Sequence, residues 1–228
     1  MEKKQYDLIE QYMHTCMKDS AHDREHVYRV LFYALEIAAE ETNIDYDVLI
    51  TACLLHDIAR QEQFENPDLC HALVGGEKAY GFLLRRGFEA AFAEKVKHCI
   101  QTHRFRKSLQ PASMEAKILF DADKLDATGA IGVARTLMFK SDQAQPMYSK
   151  LPNGDISDGS EDTEPSFCRE YRFKLEKLYD KFYTAKAYQM GQQRRKIAAD
   201  FYEGLFAEVS DAYCVGREKL QAQLKDSL

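Results

Sequence analysis

The sequence predicts an all-α fold in a single domain, and three observations carry that expectation. Apolar residues recur at three- and four-residue intervals along most of the 228 residues. Proline, which interrupts helices, occurs only five times. No run of alternating apolar and polar residues reads as a strand.

The elements follow in order. Leu8, Tyr12 and Cys16 lie on one face of a first helix. Asp23 is placed to cap a second, whose stripe is Val27, Val30, Leu31, Ala34 and Ala38. A third carries Leu49, Ala52, Cys53 and His56. A fourth runs from near His71 to Arg86 and stops at Gly87. Phe92, Val96, Ile100 and His103 mark a fifth, which ends before Pro111. Ile118, Asp121, Ala122 and Leu125 mark a sixth. Residues 141–166 hold three prolines, Asn153-Gly154 and a run of Asp, Glu and Ser, so a long loop is expected there, and a lid is one reading of it. Helix resumes near Phe167 with Tyr171, Leu175, Leu178 and Phe182, and a last helix runs to about Val209. The motif-bearing core spans about 20–140 and the C-terminal helices about 167–210.

Bulk properties narrow the function. A net charge of -6 argues against broad nucleic-acid affinity. No long uncharged apolar run or secretory leader pattern is found, so a membrane partner is not expected. The six cysteines are scattered with no pair three apart, which disfavours a zinc ribbon and fits reduced thiols in a cytoplasmic protein. The sequence leaves a homodimer open.

The chemistry concentrates at His56-Asp57, which closes the apolar run Cys53-Leu54-Leu55. An unpaired buried carboxylate is costly, and a divalent cation would compensate it. His26 precedes Val30 by four residues, His56 follows Ala52 by four, and Asp121 lies between Ile118 and Leu125 at helical spacing. Two histidines and a carboxylate from three helices therefore face the core, with Asp57 beside them. A lone core histidine is ordinarily just hydrogen-bonded, but a buried Asp with no partner is rare, and the four together point to a metal. His26, His56, Asp57 and Asp121 form a mixed N/O set suited to one divalent ion: Mn, Fe, Ni, Zn or Mg. Such an ion activates water and polarises a phosphoryl oxygen, and phosphate chemistry also calls for fixed positive charge. Arg60, Lys124, His103 and Arg106 are the candidates for binding substrate, with Asp57, His103 and Lys124 acting on the reacting groups. For each cation, a solvated surface role is the plainer alternative. His98 reads as exposed, and His71 is ambiguous. Asp126 is read either as a structural partner of Lys124 or Arg135 or as part of the site. Gly75-Gly76 and the segment Gly129 to Gly132 read as close helix packing or turns rather than a dinucleotide loop, because no strand precedes them.

At these residues the chain resembles the HD superfamily of metal-dependent phosphohydrolases, in its small single-domain bacterial branch. The family pattern H…HD…D is matched by His26, His56-Asp57 and Asp121, within longer stretches that include His22-Asp23, Leu54 to Arg60, His103 to Arg106 and Asp121 to Asp126. The resemblance implies a helical fold, one catalytic metal on those four residues, and water-mediated hydrolysis of a phosphate ester or anhydride in a small phosphorylated metabolite, with a nucleotide favoured. Relatives that hydrolyse guanosine polyphosphates carry an acidic pair shortly after HD, where this chain has Arg60-Gln61. Some relatives bind a second metal through histidines in the interval that here holds His71, His98 and His103, and a few are dinuclear-iron oxygenases. A nucleotide sensor without turnover is a third alternative.

Overall fold

The computed structural model describes residues 1–17, 21–104 and 109–224, with the backbone alone at 21–23. The expected cap Asp23 thus lies in the first turn of a helix that begins at Ala21, and its side chain is outside the described residues, as is all of Arg106. The helices are α1 Lys3–Cys16, α2 Ala21–Ala38, α3 Tyr46–Leu55, α4 Arg60–Glu65, α5 His71–Arg85, α6 Ala90–Thr102, α7 Met114–Leu125, α8 Gly129–Asp142, α9 Phe167–Phe173 and α10 Ala185–Gln223. A 3-10 segment spans Leu175–Asp180. The only strand-like pairing among the described residues is the isolated bridge between Lys150 and Ile156. No helix among them is long and apolar enough to cross a membrane.

The chain divides into two compact units, Met1–Asp126 with Phe182–Ala187, and Ala127–Lys181 with Tyr188–Leu228. The first is built around α3. This helix is apolar nearly all round because neighbours cover every side, with Val48, Leu49, Ala52, Cys53, Leu54 and Leu55 all buried. Asp45 starts it by accepting a hydrogen bond from the Val48 amide. Helices α2, α6 and α7 pack against it, and α5 packs on α6. That last contact is close at Gly76, where a Cβ would come within 2.6 Å of the Gln101 side chain, as the glycine pair suggests.

The second unit has its own core of Val133, Phe167, Cys168, Tyr171, Leu178, Tyr179 and Tyr202, with the Tyr171 and Tyr202 rings stacked 4.2 Å apart. Residues 143–166 form a long connection, shorter by two residues than the expected loop because α8 runs to Asp142, and it is fastened within this unit. Ser157 Oγ donates to Asp162 at 2.5 Å, Ser149 Oγ donates to the same carboxylate, and Ser157 and Ser166 are buried. Gly159 sits at φ +86 where a Cβ would strike the Cys168 backbone at 2.4 Å. The apolar repeat through Leu175 and Leu178 is there, carried by the 3-10 segment rather than by continuous α-helix.

Candidate metal centre

His56 stands at the C-terminal cap of α3, where the chain leaves the helix for the turn Asp57 to Ala59. This break lets both side chains of the dipeptide aim at one place, which adjacent residues inside a helix do not do. His26 arrives from α2. His71 is the first residue of α5, and His103 caps the end of α6. All four histidines and Asp57 are buried, with exposures of 2% or less.

The acidic contribution from α7 comes from Asp123, not from Asp121. Asp123 Oδ1 lies 3.3 Å from His26 Nε2 and 4.0 Å from His56 Nε2. Asp121 is fully buried, as its phase with Ile118 and Leu125 implies, but its carboxylate accepts hydrogen bonds from the Tyr183 and Thr184 amides at 2.8–3.0 Å and from the Thr184 hydroxyl at 2.7 Å. The two positions are roughly 200° apart around the helix, so they cannot serve the same site. Asp121 anchors the Phe182–Ala187 segment. Burial pushes its carboxyl up to about 6 despite those hydrogen bonds.

Asp126 follows Asp123 by one turn and grips the other edge of the same imidazole, accepting from His26 Nδ1 at 2.7 Å. Arg29 holds Asp126 through Nε at 2.6 Å and a terminal nitrogen at 3.0 Å. The spacing Asp123…Asp126 was the available signal. It lies on the stripe through Leu119 rather than that through Ile118, and so faces α2.

Two groups of donor atoms result: His26, His56 and Asp123, and Asp57, His71 and His103. Asp57 faces both. Its Oδ2 lies 3.5 Å from His26 Nε2 and 3.6 Å from His56 Nε2, while its Oδ1 lies 3.3 Å from His71 Nε2 and 3.7 Å from His103 Nε2.

The protonation pattern tests whether cations fit. His56 Nδ1 donates to Cys53 O at 2.8 Å and His103 Nδ1 to Ile100 O at 2.6 Å, while His71 Nδ1 donates to Gln63 Oε1. With Nδ1 protonated, each neutral ring turns a lone pair on Nε2 toward the centre. Yet His26 and His56 meet Nε2 to Nε2 at 3.3 Å, as do His71 and His103. Burial holds His71 down to about 2 and His103 down to about 3, and it lowers His56 as well, so these rings stay neutral near pH 7. Burial works against ionising Asp57 and Asp123. Arg60 beside Asp57 and Lys124 beside Asp123 nevertheless hold both carboxyls well below the usual range. Asp57 Oδ1 is buried and accepts no hydrogen bond among the described residues. Opposed lone pairs beside an orphaned carboxylate oxygen fit a cation in each group. Donors bound to one ion at about 2.1 Å stand roughly 3.0–3.4 Å apart, close to the separations seen here.

Of the expected substrate residues, Arg60 bonds Asp57 Oδ2 through Nε at 2.9 Å and is 44% exposed, so it reaches from the carboxylate to solvent. Lys124 Nζ lies 2.8 Å from Asp123 Oδ2 and 3.2 Å from His103 O. His103, expected to meet phosphate, stands inside the second donor group instead. His98 is half-buried against the Ala112 amide and outside both groups.

The HD domain family model matches residues 24–128, a span that contains every donor named above. The Bacillus subtilis protein YpgQ, which is uncharacterized, is 30% identical over 214 residues, 91% of this chain and 95% of its own length. Its crystal structure with ADP superposes with a TM-score of 0.69 at 27% identity, covering 90% of this chain and 95% of that one. An HD-superfamily hydrolase from Bacillus thuringiensis gives a TM-score of 0.68 at 27% identity, over 91% of this chain and 98% of its own. The helical fold, the matched span and these relatives place the chain in the HD superfamily.

Proposed function

We propose that this protein is a metal-dependent hydrolase of phosphate esters or anhydrides, acting on a small phosphorylated metabolite and preferentially on a nucleotide. The observation that carries the reading is the convergence of lone pairs from neutral imidazoles on two ionised carboxylates, buried Asp57 and partly buried Asp123, with Asp57 between two donor groups. We propose His26, His56, Asp57 and Asp123 as ligands of one divalent ion, and Asp57, His71 and His103 as ligands of a second. Divalent ions held by these residues would acidify water and neutralise charge on a phosphoryl group. The chain's own residues orient the donors, exclude bulk water around Asp57 and supply positive charge. Arg60 serves from its exposed position beside Asp57, and Lys124 from beside Asp123. The ADP complex of YpgQ supports a nucleotide-sized phosphorylated ligand.

The test is release of phosphate and pyrophosphate from a panel of nucleotides and sugar phosphates with Mn, Mg, Ni or Fe. Turnover is expected with at least one metal, falling more than about 100-fold in Asp57→Ala. Metal-replete protein that releases neither product across the panel sinks the reading. The paired donor groups also suit a dinuclear-iron oxygenase. Two irons per chain with oxygen consumption and no phosphate release would favour it.

A further inference from the structure

Each of the four imidazoles is aimed by an acceptor at Nδ1, and the acceptors are of three kinds. His56 and His103 use backbone carbonyls three residues upstream, Cys53 O and Ile100 O. His26 and His71 use side chains from elsewhere in the fold, the Asp126 carboxylate and the Gln63 amide oxygen. The two side-chain acceptors serve different donor groups and carry different charge. Asp126 is fully buried and paired with the Arg29 guanidinium through both oxygens. A carboxylate acceptor makes an imidazole a stronger ligand than a neutral amide does.

We propose that Asp126 and Gln63 are positioning residues that give the two groups unequal metal affinity, tight at His26, His56 and Asp123 and weak at Asp57, His71 and His103. The inference rests on the reading that both groups bind metal. One further observation agrees with it. The first group has Asp123 as its own carboxylate beside the shared Asp57, whereas the second has only Asp57.

Calorimetric titration of metal-freed full-length protein with manganese alone tests this. Two classes of site are expected, differing by about 10-fold or more in affinity. Asp126→Asn weakens the tight class by about 10–100-fold and leaves the weak class within about twofold. Gln63→Ala weakens only the weak class, and Gln63→Glu, which restores an acceptor and adds charge, tightens it beyond the unaltered protein. Gln63 is only half-buried, so its variants remain informative if Asp126→Asn folds poorly. Two ions bound with equal affinity, or both classes shifting together in either variant, would overturn the proposal while leaving the hydrolase reading intact. No manganese bound at all would overturn the proposal, and the hydrolase reading falls with it only if the substrate panel shows no turnover with Mg, Ni or Fe either.

Discussion

Asp121 and Asp123 stand two positions apart on α7 and do different work. Asp123→Ala is expected to abolish metal binding at the His26, His56 and Asp123 group while the fold persists. Asp121→Ala leaves the Tyr183 and Thr184 donors without their acceptor and should cost about 3–5 kcal/mol. Chemical denaturation alongside metal titration separates the two outcomes. Asp121 also has a pH signature. Its folded carboxyl is raised to about 6 from an ordinary 3.8, so between those values the native state binds more protons than the unfolded chain. Its contribution to stability therefore declines as pH rises through that window and levels off above it. Between about pH 4.5 and about pH 7 the protein should lose roughly 2 kcal/mol relative to Asp121→Asn. Parallel pH profiles for the two proteins would mean that the hydrogen bonds, not burial, govern this carboxyl. The inward placement of His26 and His56 was legible because an apolar stripe fixes their direction, and that of Asp57 because it stands at the end of that helix. The choice between Asp121 and Asp123 was not, because helix phase identifies a buried face without saying what lies opposite it.

At the scale of elements, the long amphipathic helices were readable, except that α10 continues to Gln223 past the end expected near Val209, and the short or glycine-led ones were not. Helix α4 has six residues, too few for a periodic signal. Helix α8 opens at Gly129 in a positive-φ conformation and contains Gly132, so its start resembles a turn. Gly132 packs so closely that a Cβ would lie 2.2 Å from Ala127 O, a backbone atom that cannot step aside. Gly132→Ala should therefore destabilise the second unit by about 2–4 kcal/mol. Gly75, in the middle of α5, offers the contrast. A Cβ there meets Ala59 and His56 O at 3.6 Å, an ordinary contact, so Gly75→Ala should gain up to about 1 kcal/mol from helix propensity. Paired denaturation curves check both signs.

At the scale of the molecule, every proposed metal donor belongs to the unit that contains Met1–Asp126, and the residues that line the second core supply none. An ion that binds only the folded state stabilises it by about 2.7 kcal/mol at 100 times its dissociation constant, so manganese should raise the melting temperature of that unit by roughly 5–10 °C, and a chelator should reverse the shift. Membership of the family could be read from the H…HD…D pattern and the longer stretches around it, but the division into two units could not, because the sequence carries no composition break at Asp126. The most direct test of the account is an anomalous-scattering map from crystals of the manganese-loaded protein. The account predicts two peaks on either side of the Asp57 carboxylate, one within about 2.0–2.4 Å of the His26, His56 and Asp123 donors and the other equally close to His71 and His103. A peak bonded to Asp121, or no peak beside Asp57, would contradict it.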